Sequence, residues 1–111
     1  MKYFLMICPD PGVQVSPEEA NVEPWVEETV RRGVNVIGSR LRPREASTSV
    51  SVREGELTVT DGPFAEAKEE FAGFDVIDCA DLDEAIEVAS KHPVAKFGRI
   101  EIRPFWPFDE D

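Results

Sequence analysis

The chain has 111 residues, with 12 Lys+Arg against 23 Asp+Glu and a formal net charge of −11. That length suits one domain over residues 1–111, with about two-thirds of the extended surface buried on folding. The acidic balance excludes a general affinity for nucleic-acid backbones and disfavours anionic membranes.

The run Tyr3-Phe4-Leu5-Met6-Ile7-Cys8 reads as a buried first strand, closed by Pro9, Pro11 and Gly12. It is too short for a membrane span, which needs about 20 apolar residues, and it lacks a secretory cleavage pattern. Ser16-Pro17-Glu18-Glu19 has the form of a capping box. Val22, Val26 and Val30 follow at helical spacing, with Trp25 beside them, and predict the packed face of a first helix. Pro24 lies within that pattern. Either the helix kinks there, or a short turn precedes a main helix that starts near Pro24. Arg31, Arg32 and Gly33 suit its C-terminal end.

Val34 to Leu41 predicts a second strand. Ser47 to Arg53 alternates, with Thr48, Val50 and Val52 on one face and three serines on the other. Glu54-Gly55 turns the chain, and Leu57 to Thr60 returns as a hairpin. Asp61-Gly62-Pro63-Phe64 ends it. Gly73 to Cys79 predicts a further strand. Asp81-Leu82-Asp83-Glu84 is a second capping box, opening a helix whose expected stripe is Leu82, Ala85, Ile86 and Ala89. Pro93 stops that helix behind Lys91 and His92, and Gly98 to Arg103 is the last strand, with Ile100 and Ile102 inward.

The order β-α-β, hairpin, β-α-β predicts an α+β, ferredoxin-like (split βαβ) fold with an added β-hairpin and both helices on one face of one sheet. The other face needs a cover, and a second copy of the chain, giving a homodimer, is the economical one. The tail Pro104-Phe105-Trp106-Pro107-Phe108 has two readings: part of that cover, or a segment folded back on its own domain.

The segment Val59-Thr60-Asp61-Gly62-Pro63-Phe64-Ala65-Glu66-Ala67-Lys68-Glu69 resembles the signature of the DGPF-domain branch of the YCII-related proteins. The resemblance runs through Met1-Lys2-Tyr3, Ser16-Pro17-Glu18-Glu19, the hairpin, Asp81-Leu82-Asp83-Glu84-Ala85, His92-Pro93 with Gly98, and Glu101-Ile102-Arg103-Pro104. It implies a dimeric α/β barrel made from two ferredoxin-like sheets. It also implies proteins that are often encoded beside extracytoplasmic-function sigma factors. Some relatives with this fold act on ring-shaped aromatic metabolites, including a dehydrochlorinase and muconolactone isomerase-like enzymes. The wider family pairs a histidine on the first helix with an aspartate. Here that helix carries Glu23, Glu27 and Glu28 and no histidine.

Asp61 is the first candidate for proton transfer. Gly62-Pro63 makes a rigid bend beside it, and an apolar cleft would raise its pKa into a useful range. The plain alternative is an Asp that accepts backbone N–H groups within its own turn. His92, the one histidine, is the second candidate, either paired with Asp61 or simply a helix C-terminal cation held by the helix dipole. Phe64 could wall a ligand site. Lys68 could anchor a carboxylate or enolate, or lie on a solvated turn. Arg40 and Arg42 alternate on one face and, with Arg44 and Arg53, form a basic island in an acidic chain. They could grip an anion by paired hydrogen bonds, bind an acidic partner surface, or guard a strand edge.

No phosphate loop, dinucleotide fingerprint, nucleophile elbow or zincin motif is present. No cofactor or metal is expected, and Cys8 and Cys79 in apolar runs suit a reducing cytoplasm. The chain therefore reads as a binder of a small anionic or aromatic ligand. Proton transfer, isomerisation or elimination on a small cyclic acid fits, as no metal or nucleotide is needed. A regulatory or protein-interaction module in a sigma-factor pathway is the alternative.

Overall fold

The computed structural model describes residues 1–62 and 71–110. Its elements in chain order are β1 (Lys2–Pro9), α1 (Glu23–Arg31), β2 (Asn35–Arg40), β3 (Thr48–Arg53), β4 (Glu56–Asp61), β5 (Gly73–Asp78), α2 (Leu82–Ser90), α3 (Val94–Phe97) and β6 (Gly98–Pro104). Strands β2, β5, β1 and β6 lie side by side in that order, and each neighbouring pair is antiparallel. That connectivity is ferredoxin-like.

Strand periodicity divides the sheet into two faces. Tyr3, Leu5 and Ile7 stand opposite Ile77, Asp75 and Gly73 on β5, and Leu5 and Ile7 stand opposite Ile102 and Ile100 on β6. This face meets the helices: Tyr3, Leu5, Ile7 and Ile77 pack with Trp25, Val34, Ala85, Val88 and Ala89 in one core. Phe4, Met6, Phe74, Val76 and Ile37 occupy the other face, where the Phe4 and Phe74 rings stack at 5.7 Å.

Of the two ways to place Pro24, the structure takes the second. Ser16 and Glu19 do exchange capping-box bonds, at 3.1 and 3.2 Å, but they close only a turn. α1 starts at Glu23 with Pro24 in its first turn, where no backbone donor is lost. Its packed face differs from the expected one. Trp25 and Thr29 are buried, while Val22, Val26 and Val30 are exposed. The Trp25 indole N–H donates to the Val88 carbonyl at 2.9 Å, which turns that side of the helix inward. α2 is rotated likewise: Ala85, Val88 and Ala89 are buried, whereas Leu82 and Ile86 are exposed. Small side chains at the contact let the helix lie close to the sheet. The α2 cap is as expected, with Asp81 accepting from the Glu84 N–H at 2.9 Å and Glu84 Oε1 from the Ala80 N–H at 2.8 Å. The Arg32 guanidinium grips both Glu87 carboxylate oxygens at 2.7 and 3.1 Å and ties the helices together.

The hairpin keeps its expected register, with Val50 opposite Val59 and Val52 opposite Leu57. Glu54 and Gly55 both take positive φ, 52° and 80°, as a two-residue type I′ turn requires. It forms a two-stranded sheet of its own rather than widening the main one. The expected barrel is overturned here: the main sheet ends at open edges on β2 and β6, and neither sheet closes. Four strands are too few to bring one edge round to the other. The tail is not folded back on the core. Phe105 donates its N–H to the Lys2 carbonyl at 2.9 Å, and beyond it Trp106 and Phe108 are exposed.

Candidate functional site

A carboxyl group stands where the sheet would be expected to carry an apolar side chain. Asp75 lies in the interior strand β5, opposite Leu5 and on the helix-facing side, at 8% exposure. No hydrogen bond or ion pair to its carboxyl is seen among the described residues. Burial alone pushes its pKa up to about 6, because the site disfavours the charged form. The group thus sits close to the pH range where a carboxylate both takes and returns a proton.

Gly38 makes the room for it. Gly38 is paired with Asp75 on the edge strand β2. A Cβ at position 38 would collide with Asp75 Oδ1 and lie 2.8 Å from its Cγ. Gly38 itself is exposed. The carboxyl therefore fills the space left by a missing side chain on the edge strand, next to the exposed backbone of Gly38.

Arg40 belongs to the same face. It pairs with Gly73, one ladder step of two residues from the Gly38–Asp75 pair. Diagonal neighbours at that spacing lie roughly 7–8 Å apart. The arrangement is an exposed guanidinium on the rim and a buried carboxyl on the floor, with the bare backbone of Gly38 and Gly73 between. It can hold an anionic group at one end of a small molecule and move a proton near the other. Arg42 lies past the end of β2, in the connection to the hairpin, and is exposed.

His92 is at the same end of the fold, at the foot of α2, but it is in the core. It is buried, its ring meets the Trp25 ring edge-on at 4.8 Å, and its Nδ1 accepts the Val94 N–H at 3.0 Å. Burial pulls its pKa down to about 4. It is a neutral acceptor that starts α3 and not the dipole-held cation considered above. Asp61 is the exposed last residue of β4, in the separate two-stranded sheet. The bend next to it is pinned by the Gly62 N–H to the Ser47 carbonyl at 2.6 Å and by the Ser49 hydroxyl to the Gly62 carbonyl at 3.2 Å. Phe64 and Lys68 lie outside the described residues. Among the described residues no group of three or more His, Cys, Asp or Glu side chains is placed to hold a metal ion.

Sequence reasoning missed Asp75 and Gly38. Two signals were available: an aspartate inside the run Phe74-Asp75-Val76-Ile77, and an isolated glycine within a strand, which marks a close approach.

This fold and connectivity agree with the comparisons to known proteins. A family model for the YCII-related domain matches residues 1–109, so the chain belongs to the YCII-related domain family. It is 46% identical over 68 residues to the uncharacterised protein R00369 of Rhizobium meliloti (strain 1021), an overlap of 60% of this chain and 55% of that protein. The chain thus spans about half the length of this curated relative. Among solved structures it is similar to 5-chloro-2-hydroxyhydroquinone dehydrochlorinase (TftG) from Burkholderia phenoliruptrix AC1100, in complex with 2,5-dihydroxybenzoquinone. That likeness covers 100% of both chains, with a TM-score of 0.57 and 14% identity, and it shows the shared fold. No helix among the described residues is long and apolar enough to cross a membrane.

Proposed function

We propose that the chain binds a small cyclic or aromatic acid at the edge of the sheet, between Arg40 and Asp75, and moves a proton on it. The observation that carries this reading is the buried Asp75 carboxyl, unpartnered among the described residues and set over the Gly38 gap. At neutral pH the carboxylate takes a proton from a ring carbon and leaves an enolate. The Arg40 guanidinium holds the acid group of the ligand, and return of the proton to another carbon completes an isomerisation. The dehydrochlorinase of similar fold binds a dihydroxybenzoquinone, which fits a ligand of this size and charge. Asp61, Phe64, Lys68, Arg42 and His92 are further candidates, the first three within a stretch that resembles the DGPF branch. The apolar face of the sheet that carries Phe4 and Phe74 supports self-association into a homodimer, and two buried cysteines that form no disulfide, Cys8 and Cys79, suit a reducing cytoplasm.

The probes are 2,5-dihydroxybenzoquinone and 2,5-dihydroxybenzoate. Each is expected to raise the melting temperature of the full chain. Arg40→Ala abolishes that shift while leaving the melting temperature without ligand unchanged. Asp75→Asn retains binding but loses exchange of the ring hydrogen into deuterated water, followed by NMR against a protein-free blank. A rise that Arg40→Ala leaves intact, or exchange that survives Asp75→Asn, overturns the assignment. Exchange lost in Asp61→Asn but kept in Asp75→Asn moves the proton transfer to Asp61.

A further inference from the structure

The register of the edge strand β2 changes once along its length. Asn35 stands opposite Ile77 and Gly38 opposite Asp75, so three steps along β2 match two along β5, and the ladder shifts between Asn35 and Ile37. This is a β-bulge with Val36 as the added residue. In an unbroken ladder Ile37 would stand opposite Asp75. The bulge instead sends Ile37 to the other face and sets Asn35, Gly38 and Arg40 in one row, opposite Ile77, Asp75 and Gly73. Asn35 is thus one ladder step from the Gly38–Asp75 pair, on the side away from Arg40.

Neighbouring groups fix the Asn35 carboxamide. Its Nδ2 donates to the Thr29 hydroxyl at 3.2 Å, and that hydroxyl gives its one proton to the Val26 carbonyl at 3.0 Å. A hydroxyl whose proton is committed can only accept. The amide therefore presents Nδ2 to Thr29 and turns Oδ1 away from it. Thr29 is buried and Asn35 half-buried, so the donor side is anchored under α1. Oδ1 takes no donor among the described residues, and it is not sealed from solvent. It is an open acceptor beside the buried acid.

The two ends of the row have opposite chemistry. The Arg40 guanidinium has only donors and suits an anionic oxygen. Asn35 Oδ1 has only lone pairs to offer, so it suits an O–H or N–H group and disfavours a carboxylate. The ends lie two ladder steps apart, about 13 Å along the strand, part of which their own side chains fill. Asp75 stands opposite the midpoint. We propose that Asn35 is a specificity-determining residue of this site, its Oδ1 accepting a hydroxyl of the ligand, and that Thr29 is the positioning residue that keeps Oδ1 turned outward. The ligand class narrows from a small cyclic acid to a ring with an acid group at one end and a hydroxyl at the other. The assignment rests on the ligand reading given above.

The test is calorimetric titration of the full chain with three compounds. They are 2,5-dihydroxybenzoate, 2-hydroxybenzoate, which lacks the far hydroxyl, and 2-hydroxy-5-methoxybenzoate, which keeps that oxygen without its proton. The dihydroxy compound is expected to bind about tenfold tighter than either of the others, the difference one hydrogen bond makes. Asn35→Ala should bring the three affinities to within about twofold of one another. Thr29→Val removes the group that orients the amide, so Nδ2 can turn to the ligand and the methoxy compound should recover most of its deficit. Thr29→Ser should restore the wild-type ratio. Should Asn35→Ala fail to fold, Asn35→Leu, of similar side-chain size, takes its place. A wild type that does not separate the three compounds, or a separation that survives loss of Asn35, overturns the role of Asn35 and leaves binding at Arg40 and Asp75 standing. A methoxy deficit unchanged in Thr29→Val overturns the role of Thr29. Failure of all three compounds to bind the wild type overturns the ligand reading and this assignment together.

Discussion

The Asp75 carboxyl occupies the space that any side chain at position 38 would need. A Cβ on Gly38 would strike Oδ1 and crowd Cγ at 2.8 Å, so the two positions on β2 and β5 are fitted to each other. An acid at 75 therefore depends on glycine at 38.

Gly38→Ala should displace the carboxyl and strain the ladder, costing about 1–3 kcal/mol as an overpacked site does. The double substitution Gly38→Ala with Asp75→Ala should recover most of that loss, because the colliding group is gone. A double-mutant cycle by urea denaturation gives the coupling. A cycle without coupling would show that the pair is not in contact.

The pKa of Asp75 rises from 3.8 to about 6 on folding. Between these values the native state binds the proton more tightly than the unfolded state. Stability from this group is therefore present below about pH 4 and is lost as pH climbs through about 6. The loss is on the order of 3 kcal/mol. Asp75→Asn should gain stability over the wild type as pH increases from 4 to 6.5, with the gain levelling off above that. A gain independent of pH would mean that Asp75 titrates as it does in the unfolded chain.

His92 has the opposite sign. Its pKa falls from 6.5 to about 4 on folding. The unfolded state now holds the proton more tightly, so stability from His92 is present above about pH 6.5 and is lost as pH falls toward 4. His92→Asn keeps an acceptor for the Val94 N–H. Its stability relative to wild type should improve on acidification, by an amount on the order of 3 kcal/mol over that window. Because the two groups oppose each other, the wild-type curve should be flatter between pH 4 and 6.5 than that of either variant. Guanidinium unfolding at closely spaced pH values resolves all three.

Trp25 holds α1 to α2 through its indole N–H and the Val88 carbonyl, and its ring packs on His92. Trp25→Phe keeps an aromatic ring but removes the donor. The Val88 carbonyl still accepts the Lys91 N–H at 3.3 Å, so the cost should be about 1–2 kcal/mol rather than that of a fully orphaned group. A loss below a few tenths of a kcal/mol in thermal unfolding would show that the bond contributes little.

Much of the local structure was legible because it depends on neighbours in the chain. Alternation in residues 48–60 determined the hairpin faces, Glu54-Gly55 its turn, and Asp81 with Glu84 the start of α2. The β-α-β, hairpin, β-α-β order likewise determined the ferredoxin-like connectivity. The helix stripes were not legible. Val22, Val26 and Val30 make as regular a row as Trp25 and Thr29, and only the position of Val88 on the neighbouring helix turns Trp25 inward. The barrel implied by the family resemblance did not form either: the hairpin strands pair only with each other, and the four strands that remain leave the sheet open at β2 and β6. The candidate acid shows the same division. Alternation marks Asp75 as facing one side of β5, but its pKa depends on Leu5 and Gly38, which are 70 and 37 residues away in the chain and brought alongside by the ladder. Turns and caps are set by bonds between near neighbours, whereas burial of a charge is set by whatever the fold places across from it.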